Sequence, residues 1–203
     1  MALYRSPLLA LGLAVTPLTA VAADEWPQAT DMMRVWYQRP LVAGGEATTV
    51  LTFARFVWLT PQAGVSAFAS SPGTGGLRAL WRTDLPAGFT TTGMAGYRAI
   101  GIGTGLPGSA FRQGPEVVWL VGRPLGNGWQ VNLRASYAHL WAGNPATADD
   151  ETSGLGLYGA TLAYQPVPRL NLVGGLLGQV VWGHRSGLKA HNLGPTLAVT
   201  YRF

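Results

Sequence analysis

The sequence predicts an all-β chain: a closed antiparallel transmembrane β-barrel of about ten strands, with eight as the alternative count. Three observations carry this prediction. Apolar and polar residues alternate with period two over long stretches, as they do in strands with one apolar and one polar face. Turn-forming dipeptides punctuate those stretches, and no segment shows helical periodicity. Short connections alternate with longer ones, as in a barrel with tight hairpins at one end and looser loops at the other.

The first element is not part of the barrel. Met1 to Ala23 carries Arg5, then an apolar stretch from Leu8 through Val15, and ends in Thr19-Ala20-Val21-Ala22-Ala23 before Asp24-Glu25. A basic start, an apolar middle and small residues at −3 and −1 (Ala20 and Ala22) make the tripartite pattern of a secretory signal peptide. Pro7 and Pro17 interrupt the stretch and argue against a retained anchor. Residues 24–203 then form the barrel domain. A spanning helix needs about 20 mostly apolar residues. The nearest later candidate, Leu170 to Gly183, contains Asn171, Gln179 and four glycines.

Strands follow in order. The first four, near 31–39, 48–60, 63–70 and 76–84, are marked by weaker alternation, the last with Leu77, Ala79 and Trp81 opposite Arg78 and Arg82. Two more fall near 89–103 and 114–123. The clearest is 129–142, where Trp129, Val131, Leu133, Ala135, Tyr137 and Trp141 face away from Gln130, Asn132, Arg134 and Ser136. Strands near 153–164, 169–184 and 192–203 complete the set. Thr60-Pro61, Ser71-Pro72-Gly73, Leu85-Pro86-Ala87-Gly88, Asn127-Gly128 and Gln165-Pro166-Val167-Pro168 supply the turns. The longer connections are 104–113, 143–152 and 185–191. A soluble β-sandwich would alternate too, but here the aromatics gather toward strand ends (Trp119, Trp129, Trp141, Tyr158, Tyr164, Trp182, Tyr201) and the polar faces carry few charges. Interfacial girdles place aromatics in this way.

Composition agrees. Only 11% of the 203 residues are charged, against about 25% in an ordinary soluble domain. A hydrophobic content of 48% excludes disorder, and the absence of cysteine excludes disulfides and a cysteine zinc site. Lys189 is the single lysine among the 14 basic residues, and the net charge of +5 is spread without a basic cluster, which argues against nucleic acid as a partner.

The chain ends Leu197-Ala-Val199-Thr-Tyr201-Arg-Phe203, a terminal aromatic preceded by apolar residues at every second position. This resembles the C-terminal signature strand of Gram-negative outer-membrane β-barrel proteins. The resemblance implies recognition by the barrel-assembly machinery through Leu197, Val199, Tyr201 and Phe203, contact with outer-membrane lipid and lipopolysaccharide, and location in the cell outer membrane.

Candidate chemistry is sparse. The alternation places Arg55, Arg78, Arg82, Arg98 and Arg134 on inward polar faces with Glu116 as their mid-strand acid, a lumen charge cluster that either passes anions or is a salt-bridged plug. His184-Arg185-Ser186 is similar to the His-x-Ser of outer-membrane lipid A deacylases, which would make His184 the base and Ser186 the nucleophile. The family's orienting acid is missing, because no Asp or Glu follows Glu151. Asp149-Asp150-Glu151 lacks the alternating ligand spacing of a calcium loop, so neither a metal nor another cofactor is expected. Three functions follow: a narrow pore or accessory barrel in envelope transport or secretion with partners to match, a closed structural or interaction barrel, and a lipid A-modifying hydrolase. Deletion of Phe203 is expected to impair membrane assembly. Heat-modifiable gel mobility of the outer-membrane fraction measures this, and normal insertion of the truncated chain would contradict the reading of the C-terminus.

Overall fold

A computed structural model describes residues 28–39, 47–71, 73–101, 112–142, 152–183 and 187–203. The predicted signal peptide, His184 and Ser186, and the acidic run 149–151 lie outside the described residues. The strands are β1 (Gln28–Gln38), β2 (Thr48–Trp58), β3 (Ala63–Ser70), β4 (Thr74–Leu85), β5 (Phe89–Ile100), β6 (Arg112–Gly126), β7 (Trp129–His139), β8 (Trp141–Ala142), β9 (Thr152–Val167), β10 (Leu170–Gly183) and β11 (Gly187–Arg202). The two-residue β8 resumes the line of β7 after Leu140 and pairs with the start of β6. The wall therefore has ten staves, which decides the count against eight.

All neighbours are antiparallel. Each stave pairs with the next in sequence, and β1 pairs with β11, for example Val35 with Val199 and Tyr37 with Leu197. With β5 on β6 as well, the ladder has no free edge. That is the one arrangement by which strands satisfy their backbone groups in hydrocarbon. Connections at the end shared by Gln28 and Phe203 are tight turns: 59–62, 86–88, 127–128 and 168–169. Asn127 and Gly128 both take positive φ (50° and 78°), as a two-residue hairpin turn requires. At the other end, the connection expected over 185–191 is strand from Gly187 onward, where Gly187 pairs with Gly183.

The pleat sorts the side chains. Outward positions carry Leu77, Val117, Leu133, Leu197 and Val199, and Leu197 is 64% exposed in the isolated chain. An apolar surface of this extent has no counterpart on a soluble monomer. It suits the lipid face of a barrel.

Aromatic residues ring both ends of the wall. Trp129 stacks on Tyr164 at 4.7 Å and Tyr201 meets Phe203 at 5.2 Å near the turn end. Tyr97 with Trp141, and Tyr137 with Trp182, lie toward the other. These rings need flat seats. The Trp81 ring lies across Gly93, where a Cβ would sit 2.0 Å from its ring carbons, and Tyr158 crosses Gly178 in the same way.

The lumen is packed as well as polar. One cluster gathers Met32, Phe56, Trp58, Phe68, Leu80, Met94, Val118 and Leu120 from the β1–β6 side. Trp36, Val50, Val173 and Leu177 form a second, and Ile100, Leu140, Leu155 and Val181 a third. Gly93→Val should force Trp81 off its seat, and overpacking of this kind costs about 1–3 kcal/mol. Urea unfolding of the refolded barrel in micelles measures the loss, and adding Trp81→Ala should recover most of it.

Candidate functional site: an arginine cluster around Glu116

β4, β5 and β6 bring three charged side chains to one level. Arg78 is paired with Gly96, and Gly96 with Glu116, so Arg78 and Glu116 face each other across a glycine that leaves room between them. Arg78 donates from Nε and Nη2 to Glu116 Oε2 at 2.9 and 2.7 Å. Arg98, two residues beyond Gly96, donates from Nη2 to Glu116 Oε1. Both carboxylate oxygens are thus engaged by guanidinium groups from two strands. The Arg78 guanidinium also lies 3.9 Å over the Phe68 ring, with that of Arg98 at 5.6 Å. Phe68 rests on Gly76, where a Cβ would come within 2.6 Å of the ring. Glycines at 76 and 96 thus make the space in which this cluster packs.

Two more arginines stand in the lumen, one on β7 beside β6 and one on β1. Arg134 enters from β7 and lies within electrostatic reach of Arg78, Arg98, Glu116 and Arg34. Arg34 enters from β1, between Met32 and Trp36, and is buried. Arg34, Arg78, Arg98 and Glu116 are all at most 4% exposed. Among the described residues, Glu116 is the one buried carboxylate. Arg78, Arg98 and Arg134 surround a single anion, and Arg34 lies within electrostatic reach of Arg134. The cluster can attract, hold or screen anions, but it contains no nucleophile with a base.

The sequence-predicted residues divide as follows. Arg78, Arg98, Glu116 and Arg134 meet in the lumen. Arg82 shares the inward face of β4 but stands nearer the turns, two pleats from Arg78, and is half-buried. Arg55 is a correction: it lies on the outer wall. Even-numbered residues of β2 point inward (Thr52, Ala54, Phe56, Trp58), so Arg55 points out, 3.7 Å from Asp31 of β1. Two apolar aromatics inside a strand invert the usual contrast, which is why the alternation of β2 was misread. Arg34 was missed for the same reason. Its nearest inward neighbours Met32 and Trp36 are apolar, which masks the polar inward set Gln28, Thr30, Arg34 and Gln38. The register Arg34 to Thr52, an inward residue of β2, is the signal that finds it.

Leu197, Val199 and Tyr201 face outward on β11, and Phe203, just past its end, is exposed as well. The Phe203 amide donates to the Asp31 carbonyl at 3.0 Å, extending the β1–β11 seam to the last residue. His139 is on the outer wall beside Trp141, and His191 bonds the Tyr158 hydroxyl. Among the described residues no group of three or more His, Asp or Glu could hold a metal ion.

A closed ladder with an apolar outside, aromatic girdles and a polar, packed inside defines a membrane-spanning barrel of the outer-membrane type. No family model and no curated protein matches the chain. Among solved structures, it is similar to the outer membrane channel DcaP of Acinetobacter baumannii at 12% identity and TM-score 0.46, over 87% of this chain and 59% of that one. It is similar to the outer membrane protease OmpT from Escherichia coli at 10% identity and TM-score 0.49, over 87% and 97%. The N-terminal β-barrel domain of Pseudomonas aeruginosa OprF matches at 12% identity and TM-score 0.33, over 88% and 100%. The chain thus spans under two thirds of the channel's length, and identities this low transfer no activity.

Removing one member of a buried ion cluster is costly, because the partners keep their charge without its compensation. Glu116→Ala is expected to destabilise the refolded barrel by about 3–5 kcal/mol. Arg55→Ala, which breaks an exposed pair, should cost no more than about 1 kcal/mol. Parallel urea titrations in micelles compare the two, and equal losses would contradict the assignment.

Proposed function

We propose that the protein is a narrow, anion-preferring pore of the outer membrane. Three lumen arginines gathered around one glutamate, with Arg34 in reach of Arg134, carry this reading. Rings of arginine or lysine set anion preference in pores, as rings of acid do for cations. In this reading Met1–Ala23 is removed on export and the aromatic terminal strand is the handle for the assembly machinery. Lipopolysaccharide then surrounds the outer wall, and partners in envelope transport or secretion meet the loops.

A second reading is a closed barrel acting through those loops. It is favoured by the interior packing: Trp36 and Met94 are at most 1% exposed, and Arg78 is stacked on Phe68. The hydrolase reading has less support, since its His184 and Ser186 have no acid after them in sequence to orient the base.

Current separates the first two. Refolded protein in a planar bilayer under a KCl gradient is expected to give discrete steps with an anion-leaning reversal potential. Arg78→Gln with Arg134→Gln should move that potential toward the cation side. Silence from protein shown to be folded by heat-modifiable mobility would establish the closed barrel instead.

A further inference from the structure

The outer wall carries a groove of about 640 Å³ across β2 to β5, a volume in the range of pockets that hold small molecules. Two rows of outward side chains bound it. Arg55, Ala67, Leu77 and Tyr97 stand in register as one row, and Val57, Val65 and Ala79 as the other. Between the rows, strand backbone at the inward-facing positions Ser66, Arg78 and Gly96 forms the floor. Alanine at 67 and 79 keeps the walls apart, and beyond Arg55 the walls are hydrocarbon as far as Tyr97.

The course of the groove is oblique to the membrane. Arg55 lies three residues before Trp58, at the turn end of β2, whereas Tyr97 lies three residues before Ile100, at the opposite end of β5. The row from Arg55 to Tyr97 therefore climbs from the turn side toward the other, over three strand spacings of about 4.8 Å each. An extended hydrocarbon chain entering from the turn side follows that course.

The lower mouth decides which lipid fits. Asp31 of β1 is the register partner of Arg55, and their side chains are 49% and 63% exposed. Their closest approach, 3.7 Å, is too long for a hydrogen bond, so both groups keep bonding capacity for a third. Charge on the lipid face is tolerated only toward the headgroup level, which is where these two stand. A cation and an anion side by side complement a headgroup that itself carries a phosphate and an ammonium. The Arg55 guanidinium matches phosphate oxygens in pairs, and the Asp31 carboxylate meets the ammonium. A headgroup with the phosphate alone would set its charge against Asp31.

We propose that this groove binds one zwitterionic phospholipid, its phosphate on Arg55, its ammonium on Asp31 and one acyl chain lying along the groove toward Tyr97. The inference concerns the wall rather than the lumen, so it stands whether or not the barrel conducts.

The test is native mass spectrometry of the refolded full chain released from micelles, loaded with phosphatidylethanolamine or with phosphatidylglycerol of the same acyl chains. One phosphatidylethanolamine per barrel is expected to survive, in preference to phosphatidylglycerol. Arg55→Gln should weaken its binding about tenfold or more, the scale of a lost charged hydrogen bond. Asp31→Asn should remove the discrimination between the two lipids. Ala67→Leu fills the groove while keeping both charges and should weaken binding too, and Ala79→Leu repeats this from the neighbouring stave. All four positions face outward, and heat-modifiable mobility checks that each variant is folded. No lipid retained by folded wild-type protein would overturn the proposal, as would equal retention of phosphatidylglycerol. Retention unchanged by Arg55→Gln, or by both leucine variants, would do the same. A dimer in place of the lipid adduct, lost in Ala67→Leu, would give the groove to a second copy of the chain and end the lipid assignment.

Discussion

Closure of the backbone ladder is the constraint on which everything else rests. A strand in hydrocarbon must hand each N–H and C=O to a neighbour, and an open edge would leave a row of them unpaired at several kcal/mol each. This chain meets the demand by seating β11 against β1, with Arg202 opposite Met32 and the Phe203 amide on the Asp31 carbonyl. The terminal strand is therefore the seam that makes a ring out of a meander. Once the ring exists, the pleat assigns every residue to lipid or lumen, and a shift by one residue would exchange the two.

The assignment has consequences on both sides. Outside, the aliphatic residues need no partners, but large aromatics crossing to the next strand do need space. Glycine supplies it under Trp81 and Tyr158. Inside, a ring of ten staves leaves a lumen that side chains can nearly fill. It is packed here with Trp36, Phe56, Trp58, Phe68 and Met94 as well as with polar groups. The arginines are thus held among apolar walls, where Coulomb forces are stronger than in water and an unmatched charge costs more. Glu116 consequently organises three strands with one side chain.

The contrast between outer and inner faces decided what the sequence could reveal. On β7 and β11, outward Trp129, Leu133, Leu197 and Tyr201 oppose inward Asn132, Arg134, Thr196 and Thr200, so class, strand positions and closure were legible there. On β1 and β2 the inward residues include Met32, Trp36, Phe56 and Trp58, as apolar as the lipid face. Alternation fades in those strands, and with it the parity that would have placed Arg34 inside and Arg55 outside. The meeting of Arg78, Arg98 and Glu116 is a property of register between strands. No single strand encodes it, though each residue was singled out on its own face.

The chain uses the same pair chemistry twice, and the two pairs differ in burial. Asp31 and Arg55 stand 3.7 Å apart on the outer wall with side chains 49% and 63% exposed, close to the turn end of their strands. There an arginine stem can run along apolar surface and keep its head among headgroups or water. Such a pair adds little stability and fixes no geometry. Glu116 holds Arg78 at 2.7 Å with both side chains 1% exposed, and it takes Arg98 on its other oxygen. Well-packed apolar side chains of similar volume would serve stability as well as a buried ion cluster or better, so what sets the inner pair apart is the geometry that Glu116 fixes.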